Sequence, residues 1–156
     1  MKIPSIKLKK AFTLTELLIV IGILTVLLAI VLVALNPFRQ FSQANNITRR
    51  SDVKAILDAT HIYMADNSGQ LPPGITTTPQ TIKNSGGVDL CPSLVSDYLA
   101  DLPLDPSTGT KTPQSANCTA ATSYDTGYRI YKSTLNNRIT VDAPAAQLEE
   151  VIQATR

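Results

Sequence analysis

A chain of 156 residues can hold one compact domain with an extension, but not two full domains. Its formal net charge of +2 is unevenly placed: Lys2, Lys7, Lys9 and Lys10 open the chain with no acid among them, which leaves the remainder mildly acidic. No basic stripe with interleaved aromatics occurs in that remainder, so charge gives no support to nucleic-acid binding.

The first element in chain order is the basic leader, residues 1–11. Residues 12–36 follow as an apolar helix. From Leu17 to Leu35 there is no charge over 19 residues, and only Gly22 and Thr25 interrupt the aliphatic run. As a helix this run is about 28 Å long, close to the ~30 Å hydrocarbon thickness of a bilayer. The leader lysines predict a single pass with the N-terminus in the cytoplasm and the C-terminal part outside. A cleaved secretory signal would carry a shorter apolar run ending in small residues. Val33-Ala34-Leu35-Asn36-Pro37 offers no such site. An uncleaved signal anchor is the alternative.

Glu16 stands at the head of that apolar helix. A carboxylate in hydrocarbon is costly unless it is paired or near an interface. It therefore asks for a positive partner, and a plain anchor helix offers it none.

The run Lys9-Lys10-Ala11-Phe12-Thr13-Leu14-Thr15-Glu16-Leu17-Leu18-Ile19-Val20, with the apolar stretch behind it, resembles the N-terminus of the type IV pilin and type II secretion pseudopilin superfamily. The resemblance implies that a prepilin peptidase cuts between Ala11 and Phe12 on the cytoplasmic side and N-methylates Phe12. The helix then stays in the mature chain, and Glu16 becomes its fifth residue. Cleavage creates an α-amino group that is largely protonated at neutral pH. In the family the carboxylate meets this amine on a neighbouring subunit, a pairing that sets register. Two positions depart from the usual pattern: Ala11 replaces the common Gly, and Thr15 stands where an aliphatic residue is frequent.

Residues 37–69 read as an amphipathic helix. Phe38, Phe41, Ala44 and Ile47, then Val53, Ile56, Leu57, Thr60 and Met64, recur at steps of three or four. Together with the apolar helix this predicts helix from about Phe12 to Asp66, broken or kinked at Pro37 and stopped by Asn67-Ser68-Gly69. His61, the only histidine, has no Cys or carboxylate at ligand spacing and reads as a surface or groove residue. Asn46-Ile47-Thr48 and Asn117-Cys118-Thr119 match the glycosylation sequon, which is a weak signal in so polar a chain.

Residues 70–156 read as a small β-rich domain containing eight of the ten prolines. Tyr128–Lys132 and Arg138–Asp142 predict a hairpin. A third strand is expected without a clear place, and the pair should pack on the amphipathic helix. A short helix is expected from Pro92, using Leu94, Val95, Tyr98 and Leu99. Pro144 to Thr155 reads as a terminal helix, with a strand ending near Glu149 as the rival. If this part is exported, a disulfide between Cys91 and Cys118 is permitted and is the favoured reading, with two free thiols in a small core as the alternative.

The stretch Leu102-Pro103-Leu104-Asp105-Pro106 with Tyr124, Tyr128 and Tyr131 looks similar to the sheet region of pseudopilins, some of which bind calcium. Asp101, Asp105, Asp125 and Asp142 are the oxygen ligands such a site would need, although solvated turn aspartates are the favoured reading and no cofactor is expected. The fold class is therefore α+β: a long N-terminal helix, half transmembrane and half amphipathic, on a small antiparallel sheet. No Ser-His-Asp set, phosphate-binding Gly loop or Cys/His cluster is present, so no enzyme is expected.

The function expected is a structural subunit of a type IV pilus or pseudopilus. Its partners are copies of itself in a homo-oligomeric filament, the prepilin peptidase, and the inner-membrane assembly platform with its ATPase. It begins in the bacterial inner membrane and ends in an extracellular or periplasmic fibre. Adhesion, motility, DNA uptake or secretion belong to the whole machine. The alternative is an anchored extracytoplasmic binding module that never polymerises.

Overall fold

The structure is a computed structural model that describes residues 12–121 and 123–156. The leader lysines and Ala11 lie outside the described residues. The chain forms two compact units, Met1–Gln40 and Phe41–Arg156.

In the first unit, α1 spans Leu14–Leu35, and none of its residues is buried within the chain. Its 22 residues measure about 33 Å, long and apolar enough to cross a membrane. The Thr25 hydroxyl donates to the Ile21 carbonyl at 2.7 Å, so the one hydroxyl inside the run is satisfied without water. α1 ends at Asn36, which adopts the left-handed conformation (φ 40°, ψ 74°). A residue before proline is disfavoured in the right-handed helical region, and asparagine tolerates the left-handed one. Pro37 then opens α2, Pro37–Asp66, at a position where its missing N–H costs nothing. Of the break or kink expected at Pro37, the structure shows a break: two helices parted by one residue.

In the second unit, α2 buries Ser42, Asn46, Arg49, Val53, Ile56, Leu57, Ala59 and Thr60. The apolar stripe expected for its first turns is not the buried one: Phe41 is 71% and Ile47 is 64% exposed. At 3.6 residues per turn, a repeat of three falls short of a full turn by about 60° each time. Phe38, Phe41, Ala44 and Ile47 therefore wind around the helix, whereas alternating steps of four and three hold Ser42, Asn46, Arg49, Val53 and Ile56 on one face. Polar residues occupy the buried face here. The helix stops at Asn67-Ser68-Gly69 as expected, with Ser68 and Gly69 at positive φ and the Gly69 N–H donating to the Met64 carbonyl.

The sheet has five antiparallel strands: β1 Gln80–Lys83, β2 Thr110–Thr112, β3 Ser123–Lys132, β4 Ile139–Asp142 and β5 Gln153–Thr155. Their order is β1-β3-β4-β5, with β2 also on β3. The expected hairpin is β3–β4, and Tyr124, Thr126, Tyr128 and Ile130 alternate into the core from β3. β1, β2 and β5 are the strands beyond the hairpin, where the sequence reading expected one more without placing it. The expected helix from Pro92 is the single turn α3, Cys91–Leu94. The terminal helix expected over 144–155 is absent, because Leu148 and Glu149 both take positive φ and turn the chain into β5. Val53, Ile56, Leu57, Ile82, Leu90, Leu94, Tyr128, Ile130 and Val141 lie in one buried cluster between α2 and the sheet. The result is an α+β, pilin-like architecture: an apolar helix followed by a helix on a small antiparallel sheet.

Candidate functional site

The head of α1 carries the residues singled out from sequence. Thr13 is the N-cap: its hydroxyl oxygen accepts from the Glu16 N–H at 3.2 Å, while the Glu16 carboxylate accepts from the Thr13 N–H at 3.0 Å and the Thr13 hydroxyl at 2.9 Å. This is a capping box, a Thr followed three residues later by Glu, each satisfying an otherwise orphan N–H. The helix thus gives Glu16 a local role that the sequence reading did not include, although the cap supplies no positive partner. Thr13 is the residue that sequence reasoning missed, although the Thr-x-x-Glu pattern was legible. Among the described residues Glu16 makes no ion pair, and Phe12 beside the cap is 85% exposed. Sites and partners on the leader side, Ala11 among them, lie outside the described residues.

Cys91 and Cys118 form a disulfide that ties α3 to the 117–120 turn. Asp101 fastens the same corner, accepting from the Cys118 and Leu102 N–H groups at 2.9 Å each and pairing with Lys111. Burial pushes this carboxyl up, but Lys111 and the two backbone donors outweigh it and hold Asp101 below its ordinary value. Closing a loop with a sequence separation of 27 stabilises the fold by about 3.5 kcal/mol on the chain-entropy account. Replacing both cysteines by serine should lower unfolding stability by about that amount, read by urea denaturation, and reductant should then have no further effect on the variant.

Asp105 lies at the centre of a buried polar group. Arg49 donates to it twice, from Nε at 2.7 Å and Nη2 at 3.1 Å, and both side chains are fully buried. The Ser107 and Thr108 N–H groups add bonds of 2.8 and 2.9 Å. Burial alone would raise the Asp105 carboxyl, but these donors hold it well below the usual carboxylate range. A side chain at Gly127, which has φ +77°, would strike the Thr108 hydroxyl and the Asp105 Cβ, so this glycine lets the turn seat against β3. Next to it, Asp52 accepts from the Tyr128 hydroxyl at 2.7 Å, and burial pushes Asp52 upward. Asn46 donates to the Gln147 carbonyl at 2.7 Å and to Glu150 at 3.0 Å, so the acceptor asparagine of the first sequon is buried, whereas Asn117 is exposed.

The four aspartates considered for calcium are not brought together. Asp101 faces Lys111, Asp105 faces Arg49, Asp125 faces Lys83 and Asp142 faces Arg129. No group of three or more His, Cys, Asp or Glu residues suited to a metal occurs among the described residues. His61 lies in a hollow with Asp58, Ile62, Ala65 and Arg156, and its Nε2 is buried without a hydrogen bond.

An apolar helix with a polar cap at its head, followed by a small antiparallel sheet on a second helix, defines a pilin-like class and fits a membrane-anchored protein. The family model for the prokaryotic N-terminal methylation motif matches residues 6–32, and this motif is the signature of type IV pilins and pseudopilins. It points to a structural protein that is processed at its N-terminus. No curated protein and no solved structure matches the chain.

Proposed function

We propose that the chain is a structural subunit of a type IV pilus or pseudopilus. Prepilin peptidase cuts it between Ala11 and Phe12 and methylates Phe12, and α1 holds it in the bacterial inner membrane with the second unit outside. An assembly platform and its ATPase then draw copies into a filament. The observation that carries this reading is the coincidence of the methylation motif with α1 and with Glu16 at its head. Lipid and neighbouring α1 helices are the natural solvents for an apolar surface that the chain itself leaves uncovered. Glu16 gains a use beyond its cap when the amine of a neighbouring Phe12 approaches it.

Mass spectrometry of the protein recovered from membranes tests the processing. The expected N-terminal peptide begins at methylated Phe12. A peptide that begins at Met1 would instead identify a plain signal anchor.

A further inference from the structure

The outward face of the sheet carries a basic hollow. Tyr131, Thr140 and Thr155 are register partners across β3, β4 and β5, so they form one row. Tyr131 alternates away from the buried Ile130. Thr140 is the floor of this row, only 6% exposed, with its hydroxyl 2.8 Å from that of Thr155. Arg138, two residues before Thr140, falls on the same face and donates to the Thr155 carbonyl at 3.5 Å. These residues, Lys132 and the 133–136 turn line an open hollow of about 370 Å³.

Its wall carries two cations. Arg49, Arg50, Lys83, Lys111, Arg129 and Arg156 each pair with a carboxylate. Arg39, Lys54, Lys132 and Arg138 make no ion pair among the described residues, and Lys132 and Arg138 share this hollow, which has no acidic residue in its wall.

We propose that this hollow binds an acidic sugar, a pyranose ring bearing a carboxylate. The guanidinium of Arg138 presents a planar fork that matches a carboxylate. The threonine row supplies hydroxyls that donate to and accept from ring hydroxyls. Tyr131 adds an apolar ring with a polar tip at the wall, suited to an amphipathic ligand. The volume lies at the small end of ligand pockets, about 300 to 1,000 Å³. An inorganic anion would leave the tyrosine and the threonine floor unused, and a nucleic-acid strand needs a longer basic track than two residues.

The test is a titration of the full-length protein in detergent micelles, followed by amide chemical shifts. Glucuronate should move the signals of Tyr131, Thr140 and Thr155, while glucose and acetate should each bind about tenfold more weakly or less. Arg138→Gln should weaken glucuronate binding about tenfold. Where that change disturbs the hairpin, Arg138→Lys, which keeps the charge and loses the fork, should weaken binding too. Acetate or inorganic phosphate binding as well as glucuronate would reduce the hollow to an adventitious ion site only. Equal binding of glucose, or no shift with glucuronate in the folded protein, would also overturn the proposal.

Discussion

Glu16→Gln should abolish filaments while leaving the chain in the membrane with its first helix intact. The choice of glutamine follows from the cap. Thr13 and Glu16 hold each other's backbone N–H groups, and a capping box accepts Gln at its third position as well as Glu. Glutamine therefore preserves the local structure and removes only the charge. Alanine removes both, so on its own it confuses a weakened helix start with a lost ion pair.

The complementary variant is Thr13→Ala, which keeps the carboxylate and costs about 0.5–2 kcal/mol of helix capping. Filaments should still form from Thr13→Ala, and none from Glu16→Gln or Glu16→Ala. Sheared fibre yield, counted by electron microscopy against the amount of subunit in the membrane fraction, reads the difference. The opposite ranking would assign the glutamate to the cap and remove the intersubunit pairing. The exchange is energetically reasonable: the bonds to Thr13 are exposed in the isolated chain, where each is worth only about 1 kcal/mol net. A protonated amine brought to the carboxylate within a bundle of apolar helices meets it at far lower dielectric.

The parts of the molecule that were legible in sequence are those fixed by strong local signals. The apolar run gave α1, Asn67-Ser68-Gly69 gave the end of α2, and alternation in Tyr128–Lys132 gave the inner part of β3. The buried face of α2 was hidden because Ser42, Asn46 and Arg49 occupy it. The partners of Asn46 and Arg49 are Asp105 and Gln147, which lie about a hundred residues or fewer down the chain and leave no mark on local periodicity. The last strand failed for a related reason. Leu148, Val151 and Ile152 have helical spacing, yet only Ile152 is buried, because pairing of Val141 with Ala154 decides the ending. At the site, the cap was written in four consecutive residues, but attention to the cost of the charge concealed its local use.

Arg49→Met should destabilise the second unit by about 3–5 kcal/mol, the range for breaking a buried ion pair from one side. The loss arises chiefly from Asp105, left buried with a charge and no counter-ion. Arg49→Met combined with Asp105→Asn should recover a large part of it, since Asn removes that charge and retains an oxygen acceptor for the Ser107 and Thr108 N–H groups. Urea denaturation of the single and double variants in one detergent measures the coupling. Independent, additive losses would show that the pair does not act as a unit.

Acid gives a second readout with opposite signs. In the wild type Asp105 is held below its unfolded value of about 3.9. Its contribution is thus complete above that value and is lost as pH falls towards the folded pKa. In Arg49→Met the same carboxyl, buried and unpaired, should sit above the unfolded value. That variant should therefore gain stability on acidification through its folded pKa, while the wild type holds steady and then weakens. Asp52, raised by burial and by the nearby Asp105 charge, adds its own gain on acidification, so both profiles are compared in an Asp52→Asn background, where Asp105 is the group that differs.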